Sequence, residues 1–278
     1  MTMTSETSTT KEPMMTMTSE TRTTTNARVE AIFTDVIAAL TGIIEKHRVT
    51  WEEYRAAIEW LTLGGNQGFE LALMLDIFVS TTVDNVNAAG VGTESNVEGP
   101  FYVADAPLLE RPFVMPKRAD EPGGTLLFSG TVRSTDGSPL AGATLDVWQA
   151  NGAGEYSQFS PGVPEYNLRG RLTTDADGRF EFETVVPDPY EIPKSGATGI
   201  LLAALGRPAY RPGHIHFLLS HEHARSLTTQ IYFEGDPWID CDVVGAVKDA
   251  LVTKVVHHSD GPQGPYAECS FDFVLPLT

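Results

Sequence analysis

The spacing of apolar residues changes once along this chain, and the change limits what each part can become. Between Arg28 and Asn87 apolar residues recur at three- and four-residue steps, as in Val29, Ile32, Phe33, Val36, Ile37, Leu40, Ile43 and Ile44. That period places them on one face of an α-helix. From Thr125 onward the step becomes two. LLFSGTVRS, ATLDVWQA, GRFEFETVV, HIHFLLS, TTQIYFE and CSFDFVL are short alternating or apolar runs, the pattern of β-strands.

The helical part divides further. Thr50 with Glu53 forms a capping box that opens a second helix, which runs to about Leu63 and stops at Gly64-Gly65-Asn66. A third helix is predicted from Phe69 to Asn87, apolar at Leu73, Ile77 and Val79. Between Gly90 and Gly124 the prolines forbid a continuous helix or a central strand, so this stretch wraps over something else. In TDGSPLAG and TTDADGRF, Asp-Gly turn chemistry predicts β-hairpins. Val243 to Val252 reads as a short helix. The expected fold class is therefore α+β, a helical unit at 27–90 packed on an antiparallel β-sandwich at 125–278, with 91–124 as a wrapping linker. Residues 1–26 read as a disordered tail in which MTMTSET, Met1 to Thr7, recurs at Met15 to Thr21.

Charge excludes one class of partner. With 19 Lys+Arg against 37 Asp+Glu the formal charge is −18, and a nucleic-acid interface needs clustered cations. No run approaches the roughly 20 apolar residues that span a bilayer. The N-terminus lacks the apolar core of a secretory signal. Two cysteines are too few for a disulfide framework, so a soluble cytoplasmic protein is expected, with no nucleic-acid or membrane partner.

Two histidine pairs have the H-x-H spacing, His214/His216 and His221/His223. In a strand, residues i and i+2 share a face, so either pair can converge on a metal. His214 and His216 lead into Phe217-Leu218-Leu219 and are expected on the inner face of the sheet; two hydrogen-bonded strand histidines are the plainer alternative. His221 and His223 flank Glu222 in a polar turn and read as solvated. No carboxylate stands where a facial triad needs one. Tyr156 and Tyr190, in Gly- and Pro-rich loops, remain as oxygen donors, although most loop tyrosines simply cover an apolar surface. Their order with the histidines raises their interest: Tyr156, Tyr190 and His214 follow one another at steps of 34 and 24 residues.

In these segments the sequence resembles the intradiol ring-cleaving dioxygenases of the catechol 1,2-dioxygenase type. The resemblance runs from about Arg28 to the C-terminus and rests on EGPFYVADAP, DVWQANGAGEYS, TTDADGRFEFETVVPDPY, RPGHIH and TTQIYFEGD, in that order. It implies that the sandwich is the catalytic domain, with Tyr156, Tyr190, His214 and His216 as ligands of a non-haem Fe(III). Phenolates are hard anionic donors, which agrees with a ferric ion. The partners implied are a small aromatic diol and O2, and the product a cis,cis-muconate. Tyr190 would also accept a proton from the diol. By the same resemblance Arg211 stabilises negative charge developing on the ring and Gln230 orients a ligand or the substrate. Pocket walls would come from Val97, Pro100, Phe101, Ile192, Pro193, Val243 and Val244, and from Leu73 and Asp76, three apart on one helix face. A homodimer built from the N-terminal helices, with lipid between them, is implied as well.

Asp76 offers a carboxylate to an additional ring hydroxyl, which favours hydroxyquinol, then catechol, with chlorocatechol as an alternative. The rival readings are a non-catalytic β-sandwich binding module, which shares the strand pattern without the tyrosines, and a metal-dependent hydrolase on the H-x-H pair.

Overall fold

The computed structural model describes residues 19–261 and 264–278, so most of the repeated MTMTSET tail lies outside the described residues. The helices are α1 (Ser19–His47), α2 (Trp51–Asn66), α3 (Glu70–Leu75), α4 (Thr81–Asn87) and α5 (Ala197–Leu205), with a π-helical turn at Asp76–Ser80 between α3 and α4. The strands are β1 (Phe113–Val114), β2 (Thr125–Ser134), β3 (Thr144–Gln149), β4 (Arg169–Thr173), β5 (Arg179–Val185), β6 (Tyr190–Glu191), β7 (Tyr210–Arg211), β8 (His214–His221), β9 (Ala224–Phe233), β10 (Val252–Thr253), β11 (Val256–His258), β12 (Tyr266–Ser270) and β13 (Phe273–Leu275). Two compact units result, one ending at Glu59 and the other beginning at Trp60.

The first unit is α1 and most of α2. α1 starts at Ser19, ahead of Arg28, so residues 19–26 are helical rather than tail. Its stripe from Val29 to Ile44 is exposed. The capping box is formed: Thr50 N–H donates to Glu53 Oε2 at 2.8 Å and Glu53 N–H to Thr50 Oγ1 at 3.2 Å. Among the described residues no helix is long and apolar enough to cross a membrane.

In the second unit α2 runs on through the glycine pair to Asn66, past the expected stop. Gly64 is buried, and a Cβ there would stand 3.4 Å from that of Ala197, so this glycine serves close approach to α5 rather than termination. Trp60 Nε1 donates to Ala197 O at 2.7 Å beside it. α5 itself has no counterpart in the sequence reading. It is apolar nearly all round, so no amphipathic period marks it, and left-handed Gly206 ends it.

The sandwich pairs one sheet of order β1-β5-β2-β12-β11, with β13 also on β2, against another of order β10-β9-β8-β3-β4. It is not purely antiparallel, because β2 pairs parallel with β12 and β13, β1 with β5, and β10 with β9. The two Asp-Gly turns do not close hairpins: β2 pairs with β5 and β3 with β4, so each turn carries the chain from one sheet to the other. Leu140 gives the reason. It is buried after the first turn and draws the chain across the core, while Thr174 bonds both Ala143 N–H at 2.9 Å and Leu140 O at 2.6 Å. Only a short 3-10 turn, at Asp249–Leu251, stands where a helix over 243–252 was expected, since Gly245 takes a left-handed φ of 64°. Leu126, Phe128, Phe182, Leu145, Val147, Ile215, Phe217, Leu219 and Ile231 fill the space between the sheets.

Candidate active site

Strand β8 is buried on both faces. Ile215, Phe217 and Leu219 point into the sandwich core, which sends His214 and His216 to the opposite, outer face of the sheet. The expected inner-face position is thereby corrected: Phe217 and Leu219 alternate away from the histidines, and Leu218 packs against a second apolar cluster on their own side. Register then assembles the neighbours. Trp148 of β3 lies opposite His216 on one side and Arg169 of β4 on the other. Gln230 and Tyr232 of β9 lie opposite His216 and His214. In the small β6–β7 pair Tyr190 lies opposite Arg211.

Four side chains close a ring on this face. Ring centroids are 5.5 Å apart for Tyr156–Tyr190, 5.7 Å for Tyr190–His214, 4.6 Å for His214–His216 and 6.4 Å for Tyr156–His216. All four are buried. Pro212 O lies 2.7 Å from His214 Nδ1; a carbonyl only accepts, so Nδ1 carries the proton and Nε2 presents its lone pair. The two Nε2 atoms face each other at 3.0 Å. Burial, then the Arg211 charge, lowers the His214 pKa to about 3. Burial, then His214 and Arg211, also depresses that of His216. Both imidazoles are neutral. Burial raises both phenols, so their protons leave only for a strong cation. The Tyr156 hydroxyl and His216 Nδ1 have no hydrogen-bond partner among the described residues. Nor does any group of three His, Cys, Asp or Glu side chains there suit a metal, so a metal on these histidines would need the phenols.

Arg211 is buried beside the ring. Its Nε and Nη2 donate to Asp242 Oδ1 and Oδ2 at 3.1 and 3.2 Å, Nη2 also to Gln230 Oε1 at 2.9 Å, and Nη1 stands 3.2 Å from His214 Nε2. Burial alone would raise the Asp242 carboxyl, and the guanidinium more than offsets it, holding the acid ionised. Asp242 also accepts the N–H groups of Val244 at 3.3 Å and Ala246 at 3.0 Å. Gln230 donates to Val97 O at 2.6 Å and accepts from the Tyr232 hydroxyl at 2.7 Å, so it orients the wall segment and Arg211 together.

The structure gathers Leu73, Val97, Phe101, Ile192, Val243 and Val244 with both tyrosines in one apolar cluster. Phe101 stacks on Tyr156 with centroids 4.6 Å apart. Pro100 is half-buried next to it, whereas Pro193 is exposed and joins no wall, because the chain turns outward after Ile192. Asp76 is half-buried at the start of the π-helical turn and, with Val97, Glu98 and Gly99, lines a cavity of about 560 Å³. A Cβ on Gly99 would lie 3.4 Å from His216 Cε1, which sets that cavity beside the ring of four. Burial raises the Asp76 carboxyl, opposed by Arg211; burial, then Asp76, raises Glu98. His223 lies exposed in the β8–β9 turn, as the sequence suggested, whereas His221 is the half-buried last residue of β8. Asp242, Tyr232 and Trp148 were not anticipated. The alternation from Gln230 to Tyr232 signals the second of these. A parallel stack on His216 at 4.7 Å identifies the third.

The sequence and fold have counterparts among known proteins. Residues 97–276 match the family described as "Dioxygenase", and residues 26–93 the one described as "Catechol dioxygenase N terminus". A chlorocatechol 1,2-dioxygenase of Rhodococcus opacus is 44% identical over 234 residues, 83% of this chain and 91% of the relative. A catechol 1,2-dioxygenase of Acinetobacter lwoffii is 40% identical, over 83% of this chain and 86% of its own. Among solved structures, the 3-chlorocatechol 1,2-dioxygenase of Rhodococcus opacus 1CP superposes with a TM-score of 0.86 at 42% identity, covering 91% of this chain and 99% of that one. The hydroxyquinol 1,2-dioxygenase of Pseudomonas putida DLL-E4 does so at 0.83 and 32%, covering 91% and 93%. A non-catalytic sandwich module and a hydrolase are thereby set aside. Matched over both its helical and its sheet regions, the chain belongs to the intradiol ring-cleaving dioxygenases and is an enzyme that opens catechol-type rings.

Proposed function

We propose that Tyr156, Tyr190, His214 and His216 hold a non-haem Fe(III), and that the preferred substrate is a catechol with a small neutral substituent, chlorocatechol first. The observation that supports the metal reading is the closed ring of two neutral imidazoles and two buried phenols, with the Tyr156 hydroxyl unpartnered. Hard phenolate oxygens suit a small trivalent cation. Such an ion supplies the charge that ionises both phenols and the electron-accepting centre at which a catecholate becomes reactive toward O2.

The chain's own groups do the rest. The imidazoles present lone pairs without first losing protons. Tyr190, opposite Arg211 in register, accepts a proton from a ring hydroxyl as its phenolate. Arg211, ionised and held by Asp242, places positive charge where the ring oxygens become anionic. Leu73, Val97, Phe101, Val243 and Val244 exclude water and give a neutral substituent apolar surroundings.

Chlorine suits these walls better than a hydroxyl does, and the Rhodococcus opacus relative carries a chlorocatechol name. Hydroxyquinol is the second reading, favoured by one observation: the Asp76 carboxylate is half-buried and, among the described residues, receives no hydrogen bond. Iron-loaded protein should be red from phenolate-to-iron charge transfer. Oxygen uptake measured with chlorocatechol, catechol and hydroxyquinol in parallel should be fastest for chlorocatechol. A colourless iron-loaded protein would end the ligand assignment, and faster uptake with hydroxyquinol would transfer the substrate to the second reading. The exposed stripe of α1 supports a homodimer, and the two free cysteines a reducing compartment.

A further inference from the structure

The row across the outer sheet face does not end at Trp148. Arg169 follows it on β4, only 1% exposed. Its Nε donates to Ser157 Oγ at 2.6 Å and its Nη2 to Ser157 O at 3.2 Å, gripping the residue that follows Tyr156. Its Cζ lies 5.9 Å from the ring centroids of both Tyr156 and Phe159, within the range of a cation over an aromatic face. Among the described residues no carboxylate stands within ion-pair distance of it, and Nη1 has no partner. A buried guanidinium in this state is costly unless something anionic compensates it. The groups able to bear negative charge that act on it are Tyr156, then Asp146, then Tyr166. Asp146 is already engaged by the Tyr102 hydroxyl at 3.1 Å.

We propose that Arg169 is a positioning residue for Tyr156: through Ser157 it holds the loop that aims the phenol, and its buried charge is the counter-ion of the Tyr156 phenolate. This rests on the ligand reading above. The guanidinium draws electron density from the phenolate oxygen, lowers the energy of its donor orbital and so moves the charge-transfer band to shorter wavelength.

The test compares iron-loaded wild type, Arg169→Gln, Arg169→Lys and Ser157→Ala, following the visible band, bound iron, kcat, KM and Tm. In Arg169→Gln the band should move to longer wavelength and kcat fall about tenfold, while KM changes less than about twofold. Arg169→Lys, which keeps the charge and loses the two-point grip, should restore the band position but not the full kcat. Ser157→Ala should leave the band in place and lower kcat. An unmoved band in iron-replete Arg169→Gln overturns the counter-ion role. Should that variant not fold, wild-type kcat in both Arg169→Lys and Ser157→Ala overturns the positioning role. A wild-type protein that takes up iron without a visible band instead overturns the tyrosine-ligand reading itself.

Discussion

Removing either imidazole of the His214–His216 pair tests the site at single-residue scale. His214→Ala and His216→Ala should bind less iron, while His223→Ala on the exposed turn should not; metal analysis after chelator washing decides, and full occupancy in His216→Ala contradicts its role as a ligand. The same pair predicts a pH dependence. In the metal-free fold burial depresses both histidines, His214 to about 3, so the unfolded chain binds protons that the folded chain refuses. Their contribution to stability is complete above a pH of about 6.5 and is lost as pH falls toward the folded value, with a slope of at most about 1.4 kcal/mol per pH unit for each group. Metal-free protein should therefore melt lower at about pH 5.5 than at about pH 7.5, and His216→Asn should show a smaller drop. An equal drop in both contradicts the assignment. Asp76→Ala separates the two substrate readings: if Asp76 accepts a ring hydroxyl, hydroxyquinol loses about ten- to a hundredfold in kcat/KM relative to catechol. A parallel fall for both makes Asp76 structural. The sequence exposed these residues because H-x-H and the tyrosine loops stand out against their surroundings. It hid Asp242, whose partners Arg211 and Ala246 N–H meet it only through a buried turn.

At the scale of elements, glycine positions show where backbone passes close to chemistry. Gly154 has a φ of 75°, and a Cβ there would stand 2.5 Å from the Cβ of Tyr190. Gly154→Ala should therefore lower Tm, with the left-handed backbone alone costing about 1–2 kcal/mol, and weaken iron retention by displacing the β6 tyrosine. Unchanged iron affinity in a folded Gly154→Ala protein would show that the loop and β6 yield independently. Elements with a clean period were legible: the capping box at Thr50, and the strands β2, β3, β5, β8 and β9. Elements defined by their neighbours were not. Gly64 looks like a stop until α5 is seen against it, and α5 carries no period to read. The Asp-Gly turns have hairpin chemistry, yet Leu140 buries beside the first and sends the chain to the other sheet.

For the whole molecule, the exposed stripe of α1 predicts a homodimer. Light scattering at micromolar concentration should give twice the chain mass, and Phe33→Asp with Ile37→Asp should give a monomer; a wild-type monomer contradicts the proposal. Fold class was legible because one change of apolar period separates helices from sheets. The face of the sheet that bears the site was not, since β8 is covered on both sides and burial alone cannot tell them apart. Numbering along the central strands makes the division visible. Odd positions, 145 and 147, 215, 217 and 219, 231 and 233, fill the core, and even positions 148, 214, 216 and 230 face the site, with Tyr232 reaching Arg211 through its hydroxyl while its ring packs on the core. Chemistry thus keeps to one parity of these strands, and the sandwich core is filled mainly from the other. A single-residue insertion upstream in β8 would exchange the two sets at once, placing isoleucine and phenylalanine at the site and imidazoles in the core, whereas a two-residue insertion would keep each set on its own side.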